Sequence, residues 1–148
     1  MTAALIAAIH YLGVMLIAAT LLVEFLTLKG GLSRPLLDRL VRVDVLYGLA
    51  ALAVLITGFL RITVAYGKGP AFYMQSMVFH TKVGLFIVMG LISIVPTIRF
   101  LRWRKAAAAG QPLPTAQSID GTRKLVLVEL HILFVLPFLA AIMARGLM

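Results

Sequence analysis

The chain contains no cysteine. Disulfides, thiolate nucleophiles and cysteine-ligated metal sites are therefore excluded. Acid is nearly as scarce, with five Asp and Glu against 14 Lys and Arg and a formal net charge of +9. Charged residues make up only 13% of the chain, against about 25% in an ordinary soluble domain. The glycine-rich turn Ala65-Tyr66-Gly67-Lys68-Gly69-Pro70 lacks the Gly-Lys-Ser/Thr ending of a P-loop. No Lys or Arg precedes Lys29, so the first apolar run has no basic n-region. It is also too long for an h-region and shows no small-residue cleavage site, so it is expected to stay in the mature chain.

What is present is apolar surface: 62% hydrophobic residues and a mean hydropathy of +1.07. Four long runs, about 3–28, 43–64, 78–101 and 124–144, are apolar all round. At 1.5 Å per residue each crosses a hydrocarbon core of about 30 Å. The reading is an all-α integral membrane four-helix bundle forming one domain over 1–148. Gly30-Gly31 closes the first helix, and Ser33-Arg34-Pro35 has the form of a new helix start that runs into the second span. The stretch from Lys105 to Gly121 reads as a mobile connector, with the fourth helix capped by Ser118 or Asp120.

The basic residues are placed asymmetrically. Lys29, Arg34, Arg39 and Arg42 fall in the first connection, and Arg99, Arg102, Arg104, Lys105, Arg123 and Lys124 bracket the third. The second holds chiefly Arg61 and Lys68. Under the positive-inside rule, loops 1 and 3 face the cytoplasm and both termini face outward, in a bacterial inner membrane. The positive charge then serves orientation and anionic lipid, not nucleic acid. Tyr66 and Tyr73 suit an interfacial aromatic belt.

Ionisable groups inside membrane spans are costly and mark sites. Val78-Phe79-His80-Thr81-Lys82 opens the third span with a histidine and a lysine about 200° apart on the helix. Sorted by depth, an outer layer holds His10, Arg61, His80, Lys82 and Arg145, and an inner layer holds Glu24, Asp44, Tyr47, Glu129 and His131. The outer layer contains no carboxylate, so it lacks an anion. Haem b supplies one, with imidazole or amine on the iron and arginines on the propionates. The inner layer reads as a self-satisfied network, a proton path or a second, metal-binding site. His10 and Glu24 are fourteen residues apart and share a face, as do Tyr47 and Arg61.

Ala7-Ala8-Ile9-His10 with Gly13, and Phe79-His80-Thr81-Lys82 before an apolar run, resemble the first and third helices of HemJ-type protoporphyrinogen IX oxidases. Leu36-Leu37-Asp38-Arg39-Leu40, and Arg123 with Glu129, fall in the corresponding places. The chain is more similar still to a sister family of small bacterial four-helix membrane proteins of unknown function. Its marks include Tyr47-Gly48, Gly58 with Arg61, and Met143-Ala144-Arg145-Gly146. The HemJ resemblance implies haem b held by His10 and Lys82. His80 is the more conventional ligand and stays open as the alternative. Lys29 stands where a second histidine of the first helix is expected, and Val128-Glu129-Leu130-His131 departs from the fourth-helix pattern. The implied work is electron transfer or oxidation linked to quinone or porphyrin. Two other readings stand beside it: a metal or small-molecule transporter of the copper-resistance membrane type, and a cofactor-free structural or assembly protein. Gly84 and Gly90 permit close packing in a homodimer.

Overall fold

The structure, a computed structural model, describes residues 1–63 and 69–146. Val64, which closes the second apolar run, and Tyr66, Gly67 and Lys68 of the glycine-rich turn lie outside the described residues. Five helices follow one another: α1 (Thr2–Lys29), α2 (Arg34–Thr63), α3 (Pro70–Gln75), α4 (Met77–Ala108) and α5 (Ala116–Ala144). The described residues contain no strand. The four long helices are 28, 30, 32 and 29 residues, each long and apolar enough to cross a membrane.

Local chemistry sets their ends. The Gly30 N–H closes α1 on the Leu26 carbonyl, and Gly31 takes φ +87°, a region open to glycine at no steric cost. The Ser33 carbonyl accepts the first bond of α2 from Leu37 N–H, with Pro35 in the first turn. Ser76 caps α4 by accepting from Phe79 N–H at 3.2 Å. Pro96 and Pro137 both lie inside continuous helices.

Two expectations need correcting. The Lys105–Gly121 connector is short: α4 runs to Ala108 and α5 starts at Ala116, leaving only 109–115 between them. The alanine run, which has the highest helix propensity, extends α4 instead of interrupting it. The cap of α5 is Thr115, accepting from Ser118 N–H at 3.3 Å, and not Ser118 or Asp120. Asp120 pairs instead with Arg123 and with Lys124, the latter at 2.9 Å. Residues 71–73 belong to α3.

The long helices form a ring in the order α1, α2, α4, α5, with α1 against α5 closing it. The pairs α1/α2 and α4/α5 pack most extensively, and α1 stands diagonally opposite α4. Inside lie Ile17, Leu21, Val54, Met89, Phe100 and Val126. Outside, Leu12, Met15, Leu49, Phe59, Phe134 and Phe138 are all more than half exposed. Large apolar side chains on the outer faces, with polar groups turned inward, are arranged for lipid. The protein is an α-helical membrane bundle in contact with the bilayer.

The basic end is latched across the ring. Arg34 donates to the Ala107 carbonyl at 3.0 Å, placing a cation at the C-terminal end of α4. Arg99 donates to Thr122 Oγ1 at 3.0 Å, joining α4 to α5.

Candidate functional site

Two polar layers cross the bundle, one toward each end. In the layer remote from the basic end, α1 and α2 approach closely because of two glycines. A Cβ on Gly13 would stand 2.6 Å from Val54 Cγ2, and one on Gly58 would stand 3.4 Å from His10 Cε1. Gly58 therefore leaves room for the His10 ring against α2. There His10 Nδ1 is 3.0 Å from Thr57 Oγ1.

The direction of that bond follows from the hydroxyl. Thr57 Oγ1 lies 2.6 Å from the Ala53 carbonyl, which can only accept, so its single hydrogen is committed there. Thr57 must then accept from His10 Nδ1–H, and the Val54 carbonyl is a further acceptor for the ring. A histidine whose other nitrogen is held by a hydrogen bond is the usual arrangement of a metal ligand. Arg61 and Lys82 both act electrostatically on His10, and Arg61 acts on Lys82. Arg61 reaches toward Tyr11, with the guanidinium carbon 5.2 Å from the ring centroid and Nη2 3.5 Å from the hydroxyl. The chain's five carboxylates all lie elsewhere: Glu24, Asp38, Asp44, Asp120 and Glu129.

The other two members of the expected outer layer stand apart. His80 is exposed, and its Nε2–H donates to the Met74 carbonyl at 2.9 Å. Its helical neighbours Gly84, Ile87 and Leu91 form an exposed face, whereas the Lys82 stripe continues into buried Met89, Pro96 and Phe100. Arg145 is exposed at the end of α5, where its backbone N–H caps Ala141.

The layer toward the basic end brings Glu24 (α1), Asp44 and Tyr47 (α2) and Glu129 (α5) together, each buried. Tyr47 donates to Glu129 Oε2 at 3.0 Å, and Thr97 of α4 donates to Asp44 Oδ1 at 2.9 Å. Asp44 and Glu129 act electrostatically on Glu24. His131 is not among them; it faces outward and donates Nδ1–H to its own helix at the Leu127 carbonyl, 2.7 Å away. Thus four of the five inner candidates converge and one does not.

Thr57 and Thr97 were missed from sequence. Threonines inside helices bond to the preceding turn so often that they carry no signal of their own. Their stripes did carry one. Thr57 lies between Val54 and Arg61 on the face that begins with Asp44 and Tyr47, and Thr97 follows Ser93 and Pro96.

Tyr47→Phe is expected to destabilise the bundle by about 1–3 kcal/mol, because a buried carboxylate oxygen loses its donor. Glu129→Gln should cost less, since the amide oxygen still accepts from the phenol. Thermal unfolding of both variants in detergent compares them; equal losses would mean that the phenol bond is not what holds Glu129.

Comparison with known proteins gives one result. A family model described as "Predicted membrane protein (DUF2214)" matches residues 2–148. No curated protein and no solved structure gives a significant match.

Proposed function

The chain belongs to the DUF2214 family of predicted membrane proteins, and on that premise we propose that it binds haem b in the half remote from the basic loops and serves in electron transfer or oxidation. The observation that carries this reading is His10: half-buried, with its ring held on α2 at Thr57 and with the cations Arg61 and Lys82 both acting on it. The donor set suits haem. Lys82 comes from α4, diagonal to α1, and would approach the iron from the other side of the bundle to His10. Lys82 is favoured over His80 as the second ligand because His80 commits Nε2–H to Met74 and faces outward. A lysine must shed its proton to ligate, so this ligand would be the neutral amine. Arg61 is assigned to a propionate, with Arg145 as the second cation at the same end.

Bound haem supplies one-electron chemistry at its iron. His10 and Lys82 would hold its iron and Arg61 would orient it through a propionate. A quinone or a porphyrin, both soluble in the bilayer, is the redox partner assigned. Loops 1 and 3 are assigned to the cytoplasmic side of a bacterial inner membrane, since ten of the 14 basic residues cluster at that end and few at the other.

Visible spectra of the purified protein, oxidised and dithionite-reduced, test this directly. Near-unit haem with a sharp reduced six-coordinate spectrum is expected. His10→Ala should lose most of the haem, and Lys82→Ala should keep part of it with altered ligation bands. A protein that stays colourless when haem is supplied during expression would overturn the proposal.

A further inference from the structure

Independently of the haem reading, the layer toward the basic end contains a group that nothing so far employs. Glu24 is 2% exposed, and its Oε1 is fully enclosed with no hydrogen-bond partner among the described residues. Its neighbours are differently served. Asp44 accepts from Thr97, and Glu129 accepts from Tyr47. Every titratable group facing Glu24 across the bundle is acidic or phenolic: Asp44 and Tyr47 from α2, Glu129 from α5. From α4 the layer receives the hydroxyls of Ser93 and Thr97, while Arg99 is engaged with Thr122.

A buried carboxyl without a donor, beside two further carboxyls and no side-chain cation, requires a cationic partner from outside the protein. A metal ion does not meet the geometry, because among the described residues no three His, Asp or Glu side chains converge where one could be held. One enclosed oxygen needing a single partner matches a proton. Access is short. Glu24 lies five residues before the end of α1 at Lys29, or about 7.5 Å along the axis.

We propose that Glu24 is a proton-exchanging carboxyl: it takes up one proton from water at the basic end of the bundle and returns it there, while Asp44 and Glu129 stay fixed as its neighbours. The only bond made and broken is O–H on the Glu24 carboxyl, so no oxidant, reductant or co-substrate is involved. Glu24 is thereby a loading position for proton-coupled work in the bilayer.

pH-difference infrared spectroscopy on the full-length protein in detergent tests this. The expected result is a carbonyl band from one protonated carboxyl that disappears as pH rises, is absent in Glu24→Gln and persists in Asp44→Asn. Should Glu24→Gln fail to fold, wild-type protein treated with dicyclohexylcarbodiimide, which couples to protonated carboxyls, provides the residue by peptide mapping. A single adduct on Glu24, formed more slowly as pH rises, is expected. No titrating carboxyl band in the wild type, or an adduct on another carboxyl, overturns the proposal. So does loss of the band on adding sodium, magnesium or manganese at constant pH, since the site would then hold a metal cation.

Discussion

Gly13→Ala is expected to lower the stability of the bundle by about 1–3 kcal/mol, the usual cost of overpacking a close-packed interface. The added methyl would meet Val54 Cγ2 at 2.6 Å, well inside contact distance, and the Ala50 carbonyl oxygen at 3.5 Å. Val54 is β-branched and stiff at χ1, so it has few ways to yield. The two helices must separate, and the contact of His10 with Gly58 and Thr57, one turn away, separates with them. Gly84→Ala is the control. A Cβ there meets nothing within 4 Å, so only the gain in helix propensity, up to about 1 kcal/mol, should be seen. Reversible unfolding in mixed micelles measures both. If Gly13→Ala were as stable as the wild type, α1 and α2 could not be as close as described.

The largest effect is expected at Phe100. It is fully buried, and its ring lies 5.9 Å from that of Trp103 in a tilted pair. Phe→Ala in a water-soluble core costs about 3–5 kcal/mol, part transfer and part cavity. In a bilayer the transfer part shrinks, because lipid is as apolar as the core, and packing remains. Phe100→Ala should therefore fall at the low end, about 3 kcal/mol. Phe100→Leu, which keeps most of the volume, should cost less than half as much. The same unfolding measurement distinguishes them, and similar losses for both would show that the space around Phe100 collapses freely.

The architecture was legible because membrane solvation acts on long stretches. Four long, nearly uncharged runs can do little else than span, and the structure returns four spans in those places. Facing was legible wherever a stripe carried more than one cue. His10, Glu24 and Ile17 repeat every seven residues, and so do Lys82, Met89 and Pro96. Depth alone was a weaker guide. It grouped His80 with Lys82 and His131 with Glu129, yet each histidine sits two residues, some 200°, from its companion and so turns outward. The partners of the polar groups were the least legible. Which hydroxyl meets which carboxyl depends on helices brought together from 53 residues apart, as with Asp44 and Thr97, or 82 apart, as with Tyr47 and Glu129.

The unequal packing around the ring bears on how the molecule is made. Since α1 with α2 and α4 with α5 share the broadest contacts, each pair can enter the bilayer as a helical hairpin before the halves associate. Neither polar layer belongs to one hairpin. The first half contributes Glu24, Asp44, His10 and Arg61, and the second contributes Glu129, Thr97 and Lys82. Asp44 and Glu129 in particular lack their donors, Thr97 and Tyr47, until the other half arrives. A chain with one hairpin missing would thus leave a buried carboxyl without its donor inside the bilayer, and each half is expected to be less stable alone than in the finished bundle.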